Sequence, residues 1–155
     1  EDIPVWKVKF EDSTASFEID SYLKIRQKYQ VFNVADFCNE CGNCTTFCPS
    51  KGSPFSDKPR FCLTEKSFNQ TENGSLLKKD GSSTTLLHRK GDKIIRLTRD
   101  INAYHFSESE LDITFDLIDF HVINAVCLHS GIHEQVLTKA AEMKVLIDSV
   151  TDSIM

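Results

Sequence analysis

Hydrophobic and polar positions along the chain follow two different rhythms. Residues 5 to 10, "VWKVKF", and residues 30 to 34, "QVFNV", are rich in aromatic and β-branched side chains, so both predict short strands. The intervening "SYLKIRQKYQ" fits neither period cleanly. "RFCLT", residues 60 to 64, predicts a third strand leaving the loop-forming "SKGSPFSDKP". Turn signals follow at Asn73-Gly74 and Asp80-Gly81. "TTLLHR" and "KIIRLT" then flank Lys90-Gly91-Asp92, a hairpin at about 83–98 whose glycine supplies the positive φ of a tight turn.

Beyond residue 105 the apolar spacing changes to about 3.6. Ser107 and Glu110 have the spacing of a capping box, and Leu111, Phe115, Ile118, Val122 and Ala125 mark one helical face. Leu117, Phe120 and Ile123 extend that apolar surface. A helix is therefore expected over about 108–129. Ser130-Gly131 interrupts it, and a second helix is expected over about 132–153, striped by Val136, Ala140, Met143, Ile147, Val150 and, just past its end, Ile154. The expected fold is α+β: a ferredoxin-like iron-sulfur segment at 1–65, then an accessory region at 66–155 with a β-hairpin and a C-terminal helical hairpin.

The chain has 155 residues, 40% of them hydrophobic and 26% charged, enough for an ordinary core. Its net charge is -5, and no run of Lys or Arg forms a stripe, so no nucleic-acid partner is expected. No apolar run approaches the roughly 18 residues that span a bilayer. The first residues, "EDIPVWKVKF", are acidic and strand-like rather than signal-like, and lack an initiator Met, as in a piece of a larger or processed protein. Three Asn-x-Ser/Thr triplets start at Asn43, Asn69 and Asn73, but the first lies inside a cysteine cluster, which argues against secretion.

That cluster carries the candidate chemistry. "FCNECGNCTTFCPS" places Cys38, Cys41, Cys44 and Cys48 in the C-x2-C-x2-C-x3-C-P spacing of bacterial ferredoxins. Three thiolates on a tight loop can hold three corners of a [4Fe-4S] cubane, and Gly42 allows the sharpest bend. Pro49 ends the following turn. Zinc competes for four thiolates, but structural zinc sites usually pair two knuckles a dozen or more residues apart, and no second knuckle is present. Cys62 and Cys127 stand alone and read as small buried hydrophobes. Either Cys62 completes one cluster with Cys38, Cys41 and Cys44, or, as the reading favoured here, a second cysteine run lies upstream or on a partner. Cys127, His129 and His133 offer a minor zinc alternative. Asp116 and Asp119, on the expected helix, read as a solvated or capping face rather than an acid-base pair. No nucleophile elbow, phosphate-cradling glycine loop or HExxH run is present.

The stretch "VADFCNECGNCTTFCPSKGSPFSDKPRF" resembles the C-terminal iron-sulfur segment of a family of large cytoplasmic flavin and iron-sulfur oxidoreductases named for selenate reductase and related to the glutamate synthase small subunit. The likeness rests on Asp36, Cys38 to Cys44, Phe47 to Pro49, Gly52 to Phe55 and Asp57-Lys58, and extends loosely over residues 28 to 130. Family members carry another cysteine run upstream that is absent here, their last helix is shorter, and Cys62 matches no motif cysteine. The resemblance implies a cytoplasmic location, flavin only on other domains or subunits, and those domains or subunits as redox partners.

The expected function is electron transfer by a [4Fe-4S] domain of a larger oxidoreductase, bound by Cys38, Cys41, Cys44 and Cys48, with no catalytic residue of its own. Phe37, Phe47 and Phe55 would shield the cluster from water. The alternative is a structural zinc or vestigial-cluster module that serves assembly. A catalytic cluster with an open iron is a third reading, against which the fourth cysteine counts, and a radical C-x3-C-x2-C motif fails because residue 51 is Lys.

Overall fold

The computed structural model describes residues 2–12, 14–26, 32–47, 53, 58–128 and 133–153. Among them strands dominate. They are β1 (Asp2–Glu11), β2 (Thr14–Lys24), β3 (Asn33–Val34), β4 (Arg60–Cys62), β5 (Asn73–Asp80), β6 (Ser83–Lys90), β7 (Lys93–Arg99), β8 (Ala103–Glu108), β9 (Leu111–Asp116), β10 (Val122–Cys127) and β11 (His133–Val136). Helices are confined to α1 (Asn43–Phe47), α2 (Glu65–Gln70) and α3 (Thr138–Ser153), with a 3-10 turn at Ala35–Phe37.

The strands form two sheets. One has three strands in the order β11-β1-β2, and the other has eight in the order β10-β9-β8-β7-β6-β5-β4-β3. From β5 to β10 the larger sheet is an antiparallel meander of sequential neighbours, whereas β3, β4 and β5 run parallel to one another. Parallel strands need crossovers. The cysteine loop is the crossover between β3 and β4, and α2 is the crossover between β4 and β5.

The expected ferredoxin-like α+β fold is therefore overturned, and with it the helical hairpin. Residues expected to form a helix over 108–129 instead form β9 and β10, paired antiparallel with Val122 opposite Phe115 and Cys127 opposite Leu111. The physical reason lies in "LDITFD": Leu111, Ile113 and Phe115 are buried while Asp112 is exposed, which is strand alternation. Ser107 is a strand residue opposite Asp112 rather than part of a capping box. The second helix exists as α3, but it starts at Thr138 because residues 133–136 pair with β1. The hairpin expected at 83–98 is present as β6 and β7, turning at Gly91 with φ of 61°.

The β8–β9 turn lacks a glycine. Ser109 occupies the left-handed region at φ 54°, where a Cβ is disfavoured. Ser109→Gly is expected to stabilise the fold by about 0.5 kcal/mol, strain relief outweighing the added chain entropy. A melting temperature about 1–2 °C higher is the check, and a lower one refutes the turn geometry.

The core runs across both sheets and α3. Ile3, Val5, Val8 and Phe10 of β1 meet Leu86, Leu97, Phe106, Ile113 and Phe115 of the larger sheet, with Ala140, Ala141, Met143 and Ile147 of α3 in the same cluster. The β1–β2 register shifts between Val5 and Trp6, where Asp20 of β2 has no partner in β1. Strict alternation from Ile3 would turn Val8 and Phe10 outward, and the break in alternation at Trp6–Lys7, beside that shift, keeps them inward. Trp6 then donates its indole N–H to the Phe120 carbonyl at 2.8 Å. Phe120 itself is buried at φ 58° and stacks on Phe115 with ring centroids 4.1 Å apart. Asp148 of α3 ties the helix to the sheet, accepting from Tyr104 Oη at 2.7 Å and Arg99 at 3.1 Å, with Lys144 at 2.7 Å on its other oxygen.

At the rim of this core Ser75 Oγ lies 3.0 Å from His88 Nδ1. Burial first, then the nearby Lys139 and Lys90, push the imidazole pKa down from 6.5 to about 4. The unfolded chain takes up that proton near pH 6.5, whereas the fold keeps the ring neutral until about pH 4. The resulting stability is complete above about pH 6.5 and is lost as pH falls through about 4. Allowing for partial solvent screening, the loss is about 1–2 kcal/mol. His88→Gln keeps a partner for Ser75 without the titration, so its urea stability should fall less than that of the native chain between about pH 7 and about pH 4.5. Equal losses in the two proteins rule His88 out as the source.

Candidate metal centre

The cysteine loop leaves β3 through the 3-10 turn, where the Cys38 amide donates to the Ala35 carbonyl at 3.2 Å. Two left-handed residues then bend it, Glu40 at φ 57° and Gly42 at φ 76°. The Cys41 amide donates to Asn39 Oδ1 at 3.2 Å, and the Thr45 amide donates to the Gly42 carbonyl at 3.0 Å as α1 begins. Cys38 and Cys44 are half-buried and Cys41 is exposed. Cys48 and Pro49 lie outside the described residues, as does Phe55. Phe37 and Phe47, expected as shields, are 83% and 82% exposed, so neither covers the loop in this state.

The Cys38 sulfur sits in a set of donors. Asn33 Nδ2 lies 3.3 Å away, and the Glu40 backbone N–H also points to it. These hydrogen bonds, the Asn33 one foremost, pull the thiol pKa below its usual value, which favours the thiolate that metals require. Loop amides aimed at sulfur are the hydrogen-bonding pattern that tunes iron-sulfur sites. Among the described residues the sulfurs of Cys38, Cys41 and Cys44 are not gathered within 4.8 Å of one another. The donors around the Cys38 sulfur suit a thiolate ligand.

Contacts with residues distant in sequence anchor the loop. Asp36 accepts from the Leu63 amide at 2.7 Å and from Ser67 Oγ at 3.1 Å, and the Leu63 bond foremost holds its carboxyl below the usual range. Ser67 also completes the capping box of α2 with Thr64, so one contact joins the loop to a helix start. Arg60 of β4 donates to Glu40 Oε1 at 2.8 Å, on the bend between Cys38 and Cys41. Sequence reading noticed Asp36 by resemblance but missed Asn33, Arg60 and Ser67. Only the parallel pairing of Asn33 with Arg60 brings them together.

The other candidates fall elsewhere. Cys62 is 3% exposed, packed with Phe68 and Leu76, and burial raises its thiol pKa. A Cβ on Gly74 would stand 3.3 Å from its sulfur, so that glycine makes room for it. Cys127 lies on β10 of the larger sheet and His133 on β11 of the smaller one, where its ring stacks with Phe10. His129, the third member of that set, lies outside the described residues. Asp116 and Asp119 are turn residues: Asp116 Oδ1 caps the Ile118 and Asp119 amides, and Asp119 Oδ1 lies 2.5 Å from His121 Nδ1. None of the described helices is long and apolar enough to cross a membrane.

No protein-family model matches the chain, and no solved structure matches it. Curated relatives match part of the chain. Over 55 residues, 36% of its length, the chain is 34% identical to "Putative oxidoreductase YgfK" of Escherichia coli K12, and equally to the protein of that name in strain O157:H7. The aligned segment is 5% of the length of those relatives, so the chain is similar to a small part of a much larger protein named as an oxidoreductase.

Proposed function

We propose that Cys38, Cys41, Cys44 and Cys48 ligate a [4Fe-4S] cluster and that the chain relays electrons within a larger oxidoreductase. The observation that carries this reading is the Cys38 sulfur, held by Asn33 and the Glu40 amide on a loop bent by two left-handed residues, within a ferredoxin-type spacing. The segmental likeness to a protein named as an oxidoreductase supports the redox class.

When bound, such a cluster supplies a one-electron couple. The chain's own residues do the rest. Asn33 and the Glu40 amide stabilise negative charge on the Cys38 sulfur, while Arg60 and Asp36 fix the loop against β4 and α2. Cys41, Phe37 and Phe47 are exposed, which leaves them accessible to a donor or acceptor domain. Flavin, the substrate and the partner domains belong to other parts of the enzyme in this reading, which places it in the cytoplasm.

Anaerobic purification with metal, sulfide and EPR analysis tests the proposal. About four irons and four sulfides per chain, with an S = 1/2 signal after dithionite, are expected. Stoichiometric zinc without iron would instead establish the structural assembly module.

A further inference from the structure

Six cations distant in sequence converge on one concavity. Lys24 and Arg26 come from the end of β2, Lys58 and Arg60 from the entry to β4, Lys90 from β6 and Lys139 from the start of α3, around a groove of about 1290 Å³. On a chain of net charge -5 this is a local reversal of sign. Lys24, Arg26, Lys58 and Lys90 form no ion pair with another described residue. Of the carboxylates on the walls, Glu40 is engaged by Arg60 at 2.8 Å and Glu142 by Lys139 at 3.2 Å, which leaves Glu72 against the four unpaired cations. Arg60 Nε is buried without a hydrogen-bond partner, a donor left over in the wall. Buried donors of that kind normally have partners.

We propose that this groove binds a small molecule carrying a phosphate or pyrophosphate group. Like charges clustered around a concavity repel one another and are stabilised by an anion that several of them share. A guanidinium flanked by lysines suits phosphate oxygens, because Arg offers a directional fork and Lys a point charge. The neutral His88 and its partner Ser75, both in the groove wall, add polar contacts without further charge. The shape is a pocket, which suits a compact anion better than the extended stripe an oligonucleotide requires. This inference goes beyond the redox reading and stands whether or not the cysteines bind a cluster.

The test is isothermal titration of the full chain with inorganic pyrophosphate at low salt. Binding with a dissociation constant of about 0.1 mM is expected. Lys139→Gln and Lys90→Gln should each weaken it about tenfold while circular dichroism stays native. Arg60→Gln should do the same, but it also releases Glu40, as Lys139→Gln releases Glu142, so Lys90→Gln carries the decision. Lys9→Gln, beside Glu11 at the opposite end of β1 from Lys24's partner Asp2, should leave affinity unchanged. Absence of binding overturns the proposal, as does equal weakening by Lys9→Gln, which signifies unspecific charge attraction. Tighter binding of a polyglutamate peptide than of pyrophosphate also overturns it, assigning the groove to an acidic protein segment.

Discussion

Phe115→Ala is expected to destabilise the protein by about 3–5 kcal/mol, whereas Ile118→Ala should cost less than about 0.5 kcal/mol. Phe115 is fully buried in β9 and stacked on Phe120, so truncation removes transfer energy and leaves a cavity that the strained Phe120 turn cannot easily close. Ile118 is 90% exposed in the β9–β10 turn. The contrast separates two descriptions of one stretch. On a helix, residues 115 and 118 share a face and both truncations would be costly. In a strand followed by a turn, only the first is. Denaturant unfolding of the two variants against the native chain decides it, and comparable losses would reinstate the helix.

Cys41→Ser should reduce bound iron from about four per chain to less than about one, with the dithionite-dependent EPR signal lost. Because Cys41 is exposed and makes no core contact, the metal-free variant should unfold together with the metal-free native protein. The difference should appear only in the loaded state, where ligation contributes folding free energy. Cys62→Ala provides the opposite pattern: iron retained, but about 1–2 kcal/mol of stability lost from the cluster with Phe68 and Leu76. Loss of iron in Cys62→Ala would make Cys62 a ligand. Retention of iron in Cys41→Ser would remove the C-x2-C-x2-C loop from the metal site.

What could be read from the chain in advance was whatever lies within a few residues. The cysteine spacing is local, so the candidate ligands stand out in the sequence. The β6–β7 hairpin was legible because Gly91 announces its turn. The β8–β9 turn was not, since Ser109 adopts a glycine-like backbone without being glycine, and the β9–β10 turn places Phe120 there instead. Leu111, Phe115, Ile118, Val122 and Ala125 keep helical spacing only if Ile113 is passed over. Tertiary pairing settles the matter through a strand period that short apolar runs share with helices. The long β2 was hidden for another reason. Its side chains are mostly exposed, so it carries little alternation to detect. The anchors of the loop and the cations of the groove were illegible in principle, because Asn33 with Arg60, or Lys24 with Lys139, become neighbours only through the fold.

The place of β1 between β2 and β11 governs how the molecule can be made. Lys7 pairs with both Glu18 and Val136, so one side of this strand is satisfied by the next strand and the other only by a strand that follows the entire larger sheet. A nascent chain therefore carries an open β-edge on β1 through the synthesis of the entire larger sheet, and its pairing with β11 is a long-range closure. Until β11 arrives, that edge presents the unpaired backbone groups on which another chain can add a strand.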